Sequence, residues 1–154
     1  QAKDKDLSGI TTGFSRLNSL TGGFQPGGMY IIGARPSVGK SAFMGRMVYK
    51  AALQGHSVGI ISLEMTDNQI AARISSLVTD IEYWRIYRSR LVDEEQKNYF
   101  YKKTAELSEL PIFISDETGV DISEVKAKIA KLKNKNKVGR MTFHRKMFFQ
   151  AGNT

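Results

Sequence analysis

The sequence predicts an α/β domain with a mostly parallel sheet, and three features carry that prediction. Apolar, β-branched runs at Met29-Tyr30-Ile31-Ile32, from Val58 to Leu63 and from Pro111 to Ile114 have the length of buried strands. Stretches with apolar residues at helical spacing separate them. A loop closed by Gly39-Lys40-Ser41 joins the first run to the first helical stretch, in the order strand, phosphate-binding loop, helix.

In chain order, Gly9 to Gly28 is a lead-in whose glycines and Pro26 mark tight turns between short apolar contacts. The strand from Met29 and the loop are followed by a helix from Ala42 to Leu53, which Gly55 ends. The buried run from Val58 closes at Glu64, and strand, helix, strand implies a parallel unit. Thr66 with Gln69 forms a capping box for a helix that repeats Ile70, Ile74 and Leu77 on one face. Asp93 with Gln96 repeats the device for a helix to about Ser108, and Asp121 with Glu124 does so for a last helix carrying Ile122, Val125, Ile129 and Leu132. The tail from Val138 to Gln150 suits a strand or hairpin. The stretch from Tyr83 to Arg90 interleaves aromatic and basic residues, as a single-strand binding surface could. The alternative is a helix with Trp84, Ile86 and Tyr87 packed inward and the arginines in water or at a subunit contact.

A chain of 154 residues suits one domain with a real core. The absence of cysteine excludes a disulfide framework and thiolate metal sites, and two histidines are too few for a His-based zinc site without carboxylate help. No apolar run approaches the roughly 20 residues of a membrane span, so a soluble, intracellular protein is expected. The net charge of +8 fits attraction to polyanions, nucleotides and nucleic acids foremost. The excess concentrates between Lys126 and Lys146, where a solvated helix face and loop compete with a nucleic-acid patch.

The loop Ala34-Arg35-Pro36-Ser37-Val38-Gly39-Lys40-Ser41 is a Walker A pattern with Ala34 at its first position and Gly33 one place too early. Its backbone amides and the positive end of the next helix form a nest for phosphate oxygens, which Gly39 lets approach closely. Lys40 supplies a mobile ammonium for β- and γ-phosphates, and the Ser41 hydroxyl is placed to ligate Mg²⁺. Hydrolysis needs a carboxylate to orient and deprotonate water and usually a second to hold Mg²⁺. Glu64, at the C-terminal end of a buried strand, is the candidate base, with a strand-end or helix cap as the alternative. Asp116, closing Ile112-Phe113-Ile114-Ser115, is the local candidate for the second.

Gly9-Ile10, Thr12-Gly13-Phe14, Leu20-Thr21-Gly22-Gly23-Phe24, the loop from Ala34 to Ser41 and above all Ser62-Leu63-Glu64-Met65 resemble the C-terminal motor domain of DnaB-type replicative DNA helicases. The resemblance runs from Gly9 to about Leu132. It implies a RecA-like P-loop NTPase fold, hydrolysis of ATP or another NTP with Mg²⁺ and movement along single-stranded DNA. It further implies a hexameric, cytoplasmic ring of identical subunits, off the membrane, with a helicase loader or primase as possible partner. By the same resemblance Glu64 is the water-activating glutamate, and alanine at the Ala34 position is ordinary. Lys135, in Lys133-Asn134-Lys135-Asn136-Lys137-Val138-Gly139, stands where an arginine finger is expected. Asn18 stands where the family commonly has aspartate.

The resemblance demotes Asp116, because the strand like Pro111 to Ser115 precedes the family's Walker B strand. That strand, the DNA-binding loops and a glutamine-bearing strand do not follow Leu132 here. Residues 1–154 are therefore expected to be a single ATPase domain lacking a long internal segment between about 132 and 138. Without it, Ile31 and Ile60 are expected to want strand neighbours. Three functions compete: a DNA-translocating ATPase; a RecA- or KaiC-like ATPase of recombination or signalling; and a nucleotide-binding module without hydrolysis.

Overall fold

The computed structural model describes residues 7–35, 37–62, 64–91, 93–116, 127, 130, 140–143 and 147–151. Five helices and five strands are defined among them: α1 (Ser15–Thr21), β1 (Met29–Ile32), α2 (Lys40–Leu53), β2 (Val58–Ser62), α3 (Asp67–Thr79), α4 (Tyr83–Tyr87), α5 (Glu94–Ser108), β3 (Ile112–Asp116), β4 (Arg140–Phe143) and β5 (Met147–Ala151). The helix expected from Asp121 falls outside the described residues, apart from Ala127 and Ala130, which are helical.

The strands form one sheet in the order β1-β5-β4-β2-β3. β2 pairs in parallel with β3 and β4, whereas β5 runs antiparallel to both β4 and β1. Four of the five strands run the same way, the mostly parallel sheet expected, and of the two forms open to the tail, strand or hairpin, β4 and β5 take the antiparallel pairing of a hairpin. β1 and β2 run the same way without touching, because that hairpin lies between them. Ile60 is paired with Ile114 and Thr142 and is fully buried, whereas Ile31 is paired with Phe148 yet 67% exposed.

Every residue of β2 is buried, which is what an unbroken apolar run becomes in a central strand covered on both faces. Val58 and Ile60 pack with Met44, Val48, Ala51 and Ala52 of α2 and with Ile70 and Ile74 of α3. Gly45 sets the approach of the two helices: a Cβ there would come within 2.9 Å of Leu77 Cδ1. Leu77 itself is 41% exposed, so the apolar stripe of α3 is buried along Ile70 and Ile74 only. The capping box of α3 forms as expected, with Gln69 N–H donating to Thr66 Oγ1 and Thr66 N–H donating to Gln69 Oε1. Asp93 caps α5 by accepting from Gln96 N–H at 2.7 Å.

Two local readings change. The lead-in is more than turns: α1 lies within it, and Ile10 bridges Phe24 so that the segment closes on itself. A seven-residue helix with few apolar positions leaves no periodic signal to detect. In α4, Trp84 and Tyr87 are not packed inward but stand 46% and 50% exposed. This short helix lies against α3 and turns Tyr83, rather than those two rings, toward it.

Asn18 acquires a physical role from the fold. It is buried, and its Oδ1 accepts from Thr12 N–H at 2.8 Å and from Thr12 Oγ1 at 2.7 Å. Its Nδ2 donates to Thr11 Oγ1 at 2.8 Å. With the asparagine the amide donates and the Thr11 hydroxyl accepts; a carboxylate there could only accept, and the hydroxyl would have to turn and donate to it. Asn18→Ala strands a buried amide and a buried hydroxyl and is expected to lower stability by about 1 to 3 kcal/mol in urea titration. A loss below about 0.5 kcal/mol would mean the knot contributes only what a surface site does.

Candidate nucleotide-binding site

The site begins where β1 ends. Past Gly33 the chain turns through Ser37, at φ +64°, and Gly39, at φ +96°. Val38 N–H donates to Arg35 O at 3.4 Å across this turn, and the Val38 side chain is left 71% exposed. Gly39 is the N-cap of α2, so the helix opens at Lys40, ahead of the Ala42 start expected from periodicity. Phe43 N–H donates back to Gly39 O at 2.9 Å, which sets the first helical turn.

Two features make the end of α2 receptive to an anion. The cap supplies no side-chain hydrogen bond, and the first turn has no acidic residue. First-turn amides have no acceptor within a helix, and they carry the positive end of its dipole. A Cβ built on Gly39 meets no atom within 4 Å, so the space above it is open to a ligand and the glycine is required by its backbone angle.

Glu64 reaches the same place from the other side. Ser62, buried at the end of β2, accepts from Met65 N–H at 3.0 Å through its Oγ and so fixes the turn that carries Glu64 out of the sheet. This hydroxyl is the physical reason for serine at the head of Ser62-Leu63-Glu64-Met65.

A cavity of about 430 Å³ is lined by Ala34, Arg35, Ser37, Gly39, Lys40, Ser41 and Ala42 of the loop and the opening of α2, together with Glu64 and Arg73. Three cations and one carboxylate therefore face it, a balance that suits a polyphosphate. The structure brings together most of the residues expected from sequence. Val38 belongs to the loop but turns away, and Pro36 and Lys135 lie outside the described residues. Asp116 is elsewhere: its Oδ2 accepts from Asp67 N–H at 2.9 Å, so it helps to cap α3 and does not line the cavity. Among the described residues no group of three or more His, Cys, Asp or Glu could hold a metal ion, and a Mg²⁺ would rest on Ser41 and phosphate oxygens.

Arg73 was not anticipated. Its one signal in the sequence is that a charge follows Ile70 by three positions, on the edge of the apolar stripe of α3, where the stem of an arginine lies along the domain and its head can go either to water or to a site. Its Nε is buried and meets no hydrogen-bond acceptor among the described residues. The guanidinium lies over the Tyr83 ring, 4.4 Å from its centroid.

A phosphate-binding loop between a sheet strand and the helix it opens, faced by a glutamate from the end of another strand, defines a P-loop nucleotide-binding domain. The model of the DnaB-like helicase C terminal domain matches residues 9–143, and the chain belongs to that family. It is 37% identical over 132 residues to the Replicative DNA helicase DnaB of Helicobacter pylori strain 26695, covering 86% of this chain and 27% of that protein. To the Replicative DNA helicase DnaC of Bacillus subtilis it is 35% identical over 135 residues, 87% of this chain and 30% of that one. The chain thus spans about three tenths of the curated relatives it matches.

Solved structures agree on the fold. A DnaB-like replicative helicase described with its interactions with primase superposes with TM-score 0.79 at 26% identity, covering 92% of this chain and 35% of that one. A second solved structure, described as an ATPase domain, superposes with the same TM-score of 0.79 at 26% identity, with 92% of this chain and 50% of that one covered. The RecA-like fold expected from the resemblance is therefore the fold observed.

Gly39→Ala is expected to lower stability by about 1 to 2 kcal/mol, the cost of left-handed backbone alone. Equilibrium unfolding measures it, and a loss above about 4 kcal/mol would show that packing, not backbone angle, demands the glycine.

Proposed function

We propose that this chain is part of the motor of an ATP-dependent replicative DNA helicase, which couples nucleotide hydrolysis to translocation on single-stranded DNA. One observation carries the proposal: Lys40, Ser41 and Glu64, from two different strand ends, face one cavity. A triphosphate laid across the opening of α2 takes hydrogen bonds from the loop amides and charge from Lys40. Ser41 would hold a Mg²⁺ against the phosphate oxygens, where such an ion supplies charge neutralisation. Glu64 orients the attacking water and accepts its proton, and Arg73 adds positive charge on the same side. ATP is the nucleotide proposed, with another NTP as the alternative.

The remaining assignments rest on the family. Identical subunits assemble into a ring, proposed as a hexamer, and Lys135 of one subunit reaches the γ-phosphate held by the next. The solved relative described with primase supports a primase or loader as partner. Among the described residues no helix is long and apolar enough to cross a membrane, in keeping with a cytoplasmic machine. A nucleotide-binding module without hydrolysis is the second reading, because Glu64 is the one carboxylate among the described residues that line the cavity.

In the complete protein, Lys40→Ala is expected to weaken ATP binding by roughly tenfold to a hundredfold, the worth of a charge-assisted contact. Unchanged affinity by calorimetry would remove the nucleotide site. Glu64→Gln should leave ATP bound while single-turnover hydrolysis falls by roughly a hundredfold or more, as when a general base is lost. Persistence of that hydrolysis makes Glu64 structural, and no hydrolysis in the unaltered protein, with or without DNA, makes the module reading the correct one.

Mixing Lys40→Ala with Lys135→Ala protein tests the contribution between subunits. Interfaces that combine the intact Lys40 of one with the intact Lys135 of the other should restore part of the activity. No recovery at any ratio excludes a role for Lys135 in the neighbouring site.

A further inference from the structure

Arg73, half-buried with its Nε out of solvent, has a support that the nucleotide-site reading does not use. Its guanidinium stands 4.4 Å from the centroid of Tyr83, and that ring also stacks on Tyr87, with centroids 5.5 Å apart and planes at 17°. Among the described residues Arg73 enters no ion pair, and its Nε meets no acceptor. Glu82, which precedes Tyr83 in the chain, is engaged by Arg85 at 2.9 Å. A guanidinium with an unsatisfied buried N–H and no carboxylate is kept in place by the ring against it, and it has donors to spare for an anion in the cavity it lines.

We infer that Tyr83 is a positioning residue for the nucleotide site, holding Arg73 so that its guanidinium reads the terminal phosphate of a nucleoside triphosphate. The inference rests on the nucleotide-site reading above. Glu64 and Arg73 join the cavity from the end of β2 and from α3, apart from the loop and the opening of α2; with the inner phosphates on the loop amides and Lys40, the third phosphate would lie toward these two. Tyr83 therefore matters for a triphosphate and is indifferent to a diphosphate. Tyr87, stacked on it and half exposed, stiffens the ring. The arrangement explains why this aromatic and basic stretch has Tyr83, rather than Trp84 or Tyr87, turned to the domain.

Calorimetry of the complete protein with Mg²⁺ and either ADP or a non-hydrolysable β,γ-imido ATP analogue tests it, with thermal denaturation run on each variant. Tyr83→Leu is expected to weaken the analogue by roughly threefold to thirtyfold, the range of a partly buried cation–π contact, with ADP affinity unchanged within about twofold. Tyr83→Phe keeps the ring and should restore the analogue's affinity. Equal losses for both nucleotides, or no loss for the analogue, overturn the inference. If Tyr83→Leu does not fold, Arg73→Lys, which keeps the charge but gives up the planar stack, is measured instead under the same criteria. Lys40→Ala serves as reference. If it weakens both ligands while Tyr83→Leu weakens neither, only this inference falls; if it weakens neither, the nucleotide-site reading falls with it.

Discussion

The opening of α2 over the end of β1 is the constraint on which the rest depends. An anion can use those first amides only if no side chain caps them, and here the cap is Gly39 with no acid in the following turn. A serine or aspartate in its place would add only a few tenths of a kcal/mol as a cap, would be strained at φ +96°, and would fill the space a phosphate needs. The helix must then be held by other means. Met44, Val48, Ala51 and Ala52 do so by burying one face against β2 and α3. Each large side chain among them contributes about 1.5 to 3 kcal/mol by leaving water.

The second half of the site is delivered by a different device. β2 is buried along its whole length, so a glutamate at its end has a rigid base, and the Ser62 hydroxyl fixes the turn that brings Glu64 out. The Thr66 cap then starts α3 at once, and α3 carries Arg73 back to the same cavity. Asp116, which looks like a candidate metal ligand at a strand end, serves instead to accept from Asp67 N–H and to anchor that start. Its place beside β2 in the sheet makes the contact possible, since Ser62 and Asp116 are register partners.

Away from the site, two arrangements show how the fold manages its polar groups and its edge. The knot of Thr11, Thr12 and Asn18 lets the lead-in bury polar side chains without leaving them unsatisfied, because one amide both accepts and donates. The tail hairpin supplies β1 with a neighbour through antiparallel pairing while β4 continues the parallel arrangement beside β2. Ile31 still keeps most of its side chain in solvent, so pairing of the backbone and covering of the strand face are separate matters.

By itself the sequence determined the parts whose signal is local. Strand runs, the capping box at Thr66, the loop from Ala34 to Ser41 and the glutamate closing β2 are each written in residues close together, because caps, turns and amphipathic faces arise from contacts within a few positions. Tertiary structure decided what depends on residues distant in the chain. It made Asp116 a cap, turned Tyr83 inward and Trp84 outward, gave Asn18 its three bonds and set the hairpin between β1 and β2. Arg73 belongs to that second group, because whether an arginine beside an apolar stripe meets water or the cavity at the opening of α2 is settled only when α3 packs on α2.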